Sequence, residues 1–381
     1  MIEPQSYSQI KQEIAASIAA DRKLLDQLRD EIRPLQNDVH PIYTRNATSL
    51  SLVATDGGNI SLQFDPFLVQ IIRVVDSSNR EYCLEAVTPT TSISALSAKQ
   101  FHADGSPRTA LGAMMAYLEV YDLHRLSPRF PNNEHGRPIS SNWVKIYREL
   151  VEWASLFSIV RTNDFAGDTL IIVDGLLRSV VFAGNLFHKY WQGIEEGIEM
   201  QRVQKRRKIY LAGVAKHSKV LSRYRLAMSL ENILTCNYPA YVLVPRDIEE
   251  KAYTWSEYAR GADGMQEEPS IRKFAGGKMY FVKFGNRPRD PIWPIDIYLP
   301  QIPQVTHILG CMLNDAINGF PIPHYPLCLQ KAHANAALVD FDFDILQNHI
   351  FDGIRHMLAD EATVLDIYRL QDADPSQRRY E

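Results

Sequence analysis

Apolar and polar positions begin to alternate at residue 49. In residues 49–58, SLSLVATDGG, Leu50, Leu52 and Ala54 alternate with small polar residues, a period-2 strand signal that ends on Asp56 followed by Gly57 and Gly58. The runs ISLQF and FLVQIIRVVD follow across the short links GlyGlyAsn and AspPro, so a β-meander is expected from 48 to 76. Upstream, Ile10, Ile14, Ile18, Leu24, Leu25, Leu28 and Ile32 stand among charged residues. They predict one amphipathic helix over 7–37, ended near Pro34, packing on the domain or on a second subunit.

Downstream, a strand and a Ser/Thr-rich connection are expected over 81–108, a helix over 109–127 and a Pro/Asn/Gly loop over 128–140. The helix expected over 141–161 gathers Trp143, Ile146, Leu150, Trp153, Leu156 and Phe157 on one face. In TLIIVDG, 169–175, consecutive apolar residues predict a strand buried on both faces, as in a mixed or parallel sheet, again ending on Asp-Gly. A helix over 184–205, a strand and turn in IYLAGVAKHSK and a helix over 220–233 come next. Strands over 240–244 and 278–284 flank the polar stretch 246–276. A C-terminal helix is expected to about 358, with a charged tail after it.

Composition narrows the classes. At 381 residues, 45% hydrophobic and 23% charged, the chain can bury a large core. A net charge of -4 makes no global case for nucleic acid or an anionic membrane, so any such surface must be local. Cys83, Cys236, Cys311 and Cys328 form no CxxC pair and read as reduced, buried residues of a cytoplasmic protein. No secretory leader and no membrane-length apolar run is visible.

Asp56, Asp104, Asp174, Asp263 and Asp352 each precede a glycine, ordinarily a turn signal. Only Asp56 and Asp174 directly end strong strand runs; the other three keep the turn reading. If those two strands are neighbours, their carboxylates meet at one sheet edge, where like charges need a proton or a cation between them. Hard oxygen donors suit Mg²⁺ or Mn²⁺ and phosphodiester chemistry. For a third carboxylate, Glu152 lies on the helix before the second strand, beside Trp153. Glu149, read as facing solvent, and Glu119, in the helix LGAMMAYLEVYDL, are the alternatives. His333, in YPLCLQKAH, can ligate a metal or protonate a leaving oxygen. His324, in the Pro-rich stretch PIPHYP, is the weaker histidine, and Tyr325 offers a ring to stack on a nucleotide or to pack. Lys205, Arg206, Arg207 and Lys208, with Lys216, Lys219, Arg223 and Arg225, read as a solvated helix end, or beside a metal site as a phosphate-tracking groove.

A strand ending in DGG, two antiparallel strands, a glutamate-bearing helix and a strand ending in VDG resemble a ribonuclease H-like core: an α/β fold with a mixed sheet flanked by helices, an N-terminal helix and helical insertions. The finer pattern is similar to the NurA family of DNA-end-processing nucleases, through ATDGG at 54–58, IIVDGLLRS at 171–179, AGVAKHSK at 212–219 and YPLCLQKAH at 325–333. The resemblance implies Asp56, Glu152, Asp174 and His333 as metal ligands for Mn²⁺ or Mg²⁺. It implies a 5′-to-3′ exonuclease with single-strand endonuclease activity, and a homodimer docked on a HerA-type hexameric ATPase. The expected organisation is the helix 1–45, a nuclease domain 46–360 with an insertion at about 85–140, and a tail 361–381. A non-catalytic DNA-binding adaptor, or a related enzyme acting on RNA or damaged DNA, are the other readings.

Overall fold

The computed structural model describes residues 4–45, 50–64, 67–88, 90–131, 142–254, 275–337 and 340–359. The tail 361–381, the stretch 132–141 and Asp263 lie outside them. The described strands are β1 (His40–Pro41), β2 (Leu50–Phe64), β3 (Phe67–Asp76), β4 (Glu81–Val87), β5 (Asp168–Asp174), β6 (Ile209–Val214), β7 (Ala240–Leu243), β8 (Gly277–Lys283) and β9 (Ile292–Tyr298). They form one mixed sheet in the order β1-β7-β8-β9-β6-β5-β2-β3-β4. The antiparallel meander β2-β3-β4 and the parallel strands β5 and β6 on the far side of β2 give the mixed sheet expected from the sequence. Beyond β6 the sheet continues antiparallel through β9, β8 and β7.

Helices cover both faces. α3 (Ile93–Lys99), α4 (Ala110–Tyr117), α5 (Leu123–Leu126), α6 (Trp143–Thr162) and α7 (Leu186–Gln204) pack with Ile171 and Val173. α10 (Val305–Ala316) and α11 (Leu327–Ala336) pack with Leu170 and Ile172 on the opposite face. The unbroken apolar run of β5 thus serves two cores, as expected of a central parallel strand. A third cluster forms where α2 (Arg22–Ile32), α8 (Lys219–Leu230) and α9 (Arg246–Thr254) cover Met279 and Phe281 of β8, and α12 (Asp340–Leu358) lies against Ile71 of β3.

Several local expectations change. The Gly57-Gly58-Asn59 stretch is the middle of β2, not a link, and pairs with Val74, Arg73 and Ile72 of β3. The helix expected over 7–37 is α1 (Pro4–Ala20), α2 and a 3-10 turn. Leu28 and Ile32 of α2 are buried, whereas Ile10, Ile14 and Ile18 of α1 are exposed. The segment 109–127 holds two short helices, and the Ser/Thr-rich connection holds α3, capped by the Ser92 hydroxyl accepting from Ala95 N. The apolar pattern of β9 is interrupted by Pro294 and Asp296, which hid that strand; α10 lies inside 300–324. Asp352 is within α12 rather than in a turn, while Asp104 is a turn residue whose carboxylate accepts from Ser106 N and Oγ. No helix among the described residues is long and apolar enough to cross a membrane.

Candidate metal centre

The parallel register fixes two carboxylates side by side. β2 and β5 pair from Leu50↔Asp168 to Thr55↔Val173; β5 then stops at Asp174, and Gly175 turns away at φ 121°. β2 runs on, so Asp56 stands one position past the last β2–β5 pair, beside Asp174, the final residue of β5. The sequence placed Asp56 at the end of its own strand; it is the neighbour that ends. α11 lies across this point and delivers His333, whose Nδ1 is 2.6 Å from Asp56 Oδ2. One ligand atom each from Asp56, Asp174 and His333 lie within 4.8 Å of one another. Lys216, just past β6, places Nζ 3.0 Å from Asp174 Oδ2.

Both glycines of the DGG motif serve this assembly. A Cβ at Gly57 would stand 2.1 Å from Glu152 Oε1, and one at Gly58 would stand 2.7 Å from the Ala336 carbonyl oxygen. The pair is therefore clearance for a carboxylate of α6 on one face and for the backbone of α11 on the other. Alternation along β2 explains the division, since successive positions face opposite sides of the sheet. Arg73 Nη1, donating to Asn335 O at 2.8 Å, ties the end of α11 to β3.

The charges are strained against one another. Burial, then the Asp174 charge, raise the Asp56 carboxyl, while His333 and Lys216 pull it down. Burial pushes Glu152 up to about 8; Asp56, Glu149 and Asp174 add to this and Arg148 opposes it. Glu152 is held by Arg148 Nε at 3.2 Å and stands beside, not within, the group of three ligand atoms. Two carboxylates and an imidazole with a further carboxylate alongside form a hard donor set carrying excess negative charge. That set fits a divalent cation such as Mg²⁺ or Mn²⁺.

Other predicted residues find different places. Tyr325 is 1% exposed, packed edge-on against Trp293 at 4.8 Å, and its hydroxyl donates to Asp174 Oδ1 at 3.3 Å. Its ring is not offered to a nucleotide; it orients a carboxylate. Burial and Asp174 raise its phenol, which keeps that proton in place. Glu149 is half-buried rather than facing solvent, accepting from Ser179 Oγ at 2.6 Å. Glu119 lies past the end of α4 and pairs with Lys189 of α7. His324 is 3.8 Å from Asp290, and its carbonyl accepts from Trp293 Nε1.

Lys205, Arg206, Arg207 and Lys208 lie away from the metal centre. They precede β6, whose first residue pairs with Thr169, whereas its last pairs with Asp174. At about 3.3 Å per residue, this end of β6 is about 17 Å along the strand from Asp174. Lys205 pairs with Asp164, and Arg207 Nε donates to Phe165 O, so the cluster caps α7 and fixes the entry to β5. Lys219 and Arg223 begin α8, on the Asp174 side of β6. The sequence reading missed Arg148, whose i,i+4 spacing to Glu152 was a usable signal, and Ser179, which had none.

No family model matches this chain, and neither does any curated protein. Among solved structures, it is similar to the NurA nuclease from Sulfolobus solfataricus at 13% identity and TM-score 0.44, covering 94% of this chain and 99% of that one. A second NurA structure is similar at 11% identity and TM-score 0.43, over 92% and 98% of the two chains. A structure of NurA bound to dAMP and manganese is similar at 11% identity and TM-score 0.35, over 89% and 94%.

Proposed function

We propose that this chain is a divalent-metal-dependent nuclease that hydrolyses phosphodiester bonds in DNA. One observation carries the reading: Asp56, Asp174 and His333 converge to within 4.8 Å where β5 ends, with the carboxyl of Glu152, at about 8, beside them. A divalent cation held by these residues supplies a Lewis acid that polarises a phosphoryl oxygen and makes water a nucleophile at neutral pH. The chain supplies the rest. Tyr325 holds Asp174 through its hydroxyl, and Asp56 is fixed by Gly57 N at 2.8 Å and by His333. Lys216 brings an ammonium to the same edge, where it can donate to a non-bridging phosphate oxygen.

The finer parts of the proposal come from the resemblance of the DGG, VDG, AKHSK and YPLCLQKAH segments to the NurA family. They are a preference for Mn²⁺ or Mg²⁺, 5′-to-3′ polarity with single-strand endonuclease activity, and a cytoplasmic homodimer working with a HerA-type ATPase. Residues 46–360 form the nuclease domain in this reading, and 1–45 the packing or dimer element. The test is cleavage of end-labelled single- and double-stranded DNA and RNA by the purified chain with Mn²⁺ or with EDTA. Cleavage of DNA that needs Mn²⁺ and is lost in Asp174→Asn supports the reading. Cleavage unchanged in that variant, or none on any substrate, overturns it.

A further inference from the structure

The β8–β9 hairpin and the segment 319–326 meet at the same sheet edge as Asp174. β9 is antiparallel to β6 and pairs Ile295 with Val214. The hairpin that precedes β9 therefore lies at the C-terminal end of β6, where Lys216 follows. Within that hairpin, Asp290 is turned inward: its Oδ2 accepts from Arg287 N at 2.7 Å and lies 3.8 Å from His324 Nε2. A Cβ on Gly285 would fall 1.9 Å from the same oxygen, so the turn is closed around this carboxylate. Arg287 and Arg289 are exposed, and among the described residues no carboxylate pairs with either guanidinium. In a chain of net charge -4, exposed Arg287 and Arg289 precede β9 at the end of the sheet where Lys216 and exposed Lys219 follow β6, so this rim carries four cations.

The second half of the rim is apolar. Phe320 is 79% exposed, more than any other large hydrophobic side chain among the described residues. Its exposure belongs to a braced segment. Gln330 binds Ile322 N at 2.8 Å and donates to Ile322 O and Tyr325 O at 3.0 Å each, and Trp293 Nε1 donates to His324 O at 2.7 Å. Five residues after Phe320, Tyr325 reaches Asp174. Contacts therefore join the hairpin to the segment that carries Phe320, and that segment to the metal centre.

We propose that Arg287, Arg289 and Phe320 form a track for single-stranded nucleic acid leading to the Asp56–Asp174 site. The guanidiniums take backbone phosphates and Phe320 takes the face of one unstacked base. Paired bases in a duplex keep their faces stacked, so an isolated aromatic tip selects a single strand, while cations along the same edge follow its phosphates. This rests on the nuclease reading and names the residues that lead a single strand to its site.

Binding of a fluorescein-labelled oligo(dT) by the full chain separates the two ideas when measured in the Asp174→Asn background, where cleavage is removed. R287E/R289E should weaken binding at least about tenfold at low salt and lower the slope of log K against log salt by about 1.4, at about 0.7 per lost phosphate contact. F320A should weaken binding about tenfold, and F320W should restore it, because stacking needs only a π-face. Thermal melting of each variant within two degrees of the parent, at about that precision, excludes misfolding as the cause. Unchanged affinity in R287E/R289E and F320A overturns the track, whether or not the parent chain cleaves DNA. So does equal affinity of the parent for duplex and single strand, or Phe320 serving a protein contact with no effect on oligonucleotide binding. Failure of the nuclease reading shows separately, as absence of Mn²⁺-dependent cleavage by the unmutated chain.

Discussion

Asp56 Oδ2 and His333 Nδ1 stand 2.6 Å apart across 277 positions of sequence. The contact exists because α11 docks on the one stretch of β2 that lacks side chains on that side. It also sets what each residue can do. The imidazole uses one nitrogen on Asp56, which fixes its ring, and the His333 side chain remains 64% exposed.

Metal removal is the first expectation. Mn²⁺ binding followed by calorimetry should weaken about tenfold to a hundredfold in Asp56→Asn and in His333→Ala, as for loss of one ligand or its orienting partner. Chelation should abolish cleavage, and added Mn²⁺ should restore it. Equal Mn²⁺ affinity in parent and both variants would remove these residues from the metal centre.

Gly58→Ala places a methyl against the Ala336 carbonyl, a backbone group that cannot swing aside. The α11 helix must retreat, and His333 with it. Overpacking of this kind costs about 1–3 kcal/mol, and cation affinity should fall with stability. Gly57→Ala meets only the Glu152 carboxylate, a side chain that can rotate, so its stability cost should be the smaller of the two. Urea unfolding of both variants decides the order.

Arg178 follows β5 by four residues and is buried between Asp296 and Glu249, themselves 0% exposed, with Nη1 3.0 Å from Glu249 Oε2 and Nε 2.8 Å from Asp296 Oδ2. It latches the segment carrying Ser179, and so Glu149, to β9 and α9. Arg178→Leu leaves two buried carboxylates without this partner and should cost about 3–5 kcal/mol in chemical unfolding. A loss under about 1 kcal/mol would show that Arg246, at 2.9 Å from Glu249, compensates.

Exposed Arg206 and Lys208 sit at the far end of β6 from Asp174. Charge reversal in R206E/K208E should therefore leave oligonucleotide affinity within about twofold, whereas Lys216→Glu should reduce it at least about tenfold, as a lost phosphate contact does. A strong, salt-dependent loss in R206E/K208E would restore the cluster to the binding surface.

Acid should loosen the N-terminal helices. Glu231 accepts from Arg29 and Arg33, and these bonds hold its carboxyl down at about 2. A depressed carboxyl stabilises the fold fully above its unfolded value, near 4.5, and loses that contribution as pH falls toward 2. The difference in melting temperature between the parent and Glu231→Gln should thus be largest above pH 5 and shrink on acidification. A difference independent of pH would mean that α2 is held on α8 by apolar contacts alone.

What the sequence by itself determined is what neighbouring positions decide. The run LIIV required a strand buried on both faces, and β5 is one, because each side chain is forced to alternate sides whatever surrounds it. The ends of α6, α7 and α8 were legible within a few residues for the same reason. Asp56 and Asp174 stood out because each follows an apolar run, and that local feature is correct for Asp174. For Asp56 the strand continues, since Gly57 and Gly58 find ladder partners on β3 that no local pattern announces. Likewise β9 carries Pro294 and a buried Asp296 whose charge is met by Arg178, so its strand pattern exists only with those partners in place. Which basic residues share an edge with the carboxylates was a matter of strand direction: β6 runs parallel to β5, which sends the cluster at 205–208 to one end and Lys216 to the other. Charge runs and dipeptides are set within a few residues, whereas the side of a sheet, its edge and the reason for a glycine depend on what arrives from hundreds of residues away. Tertiary packing alone decided those.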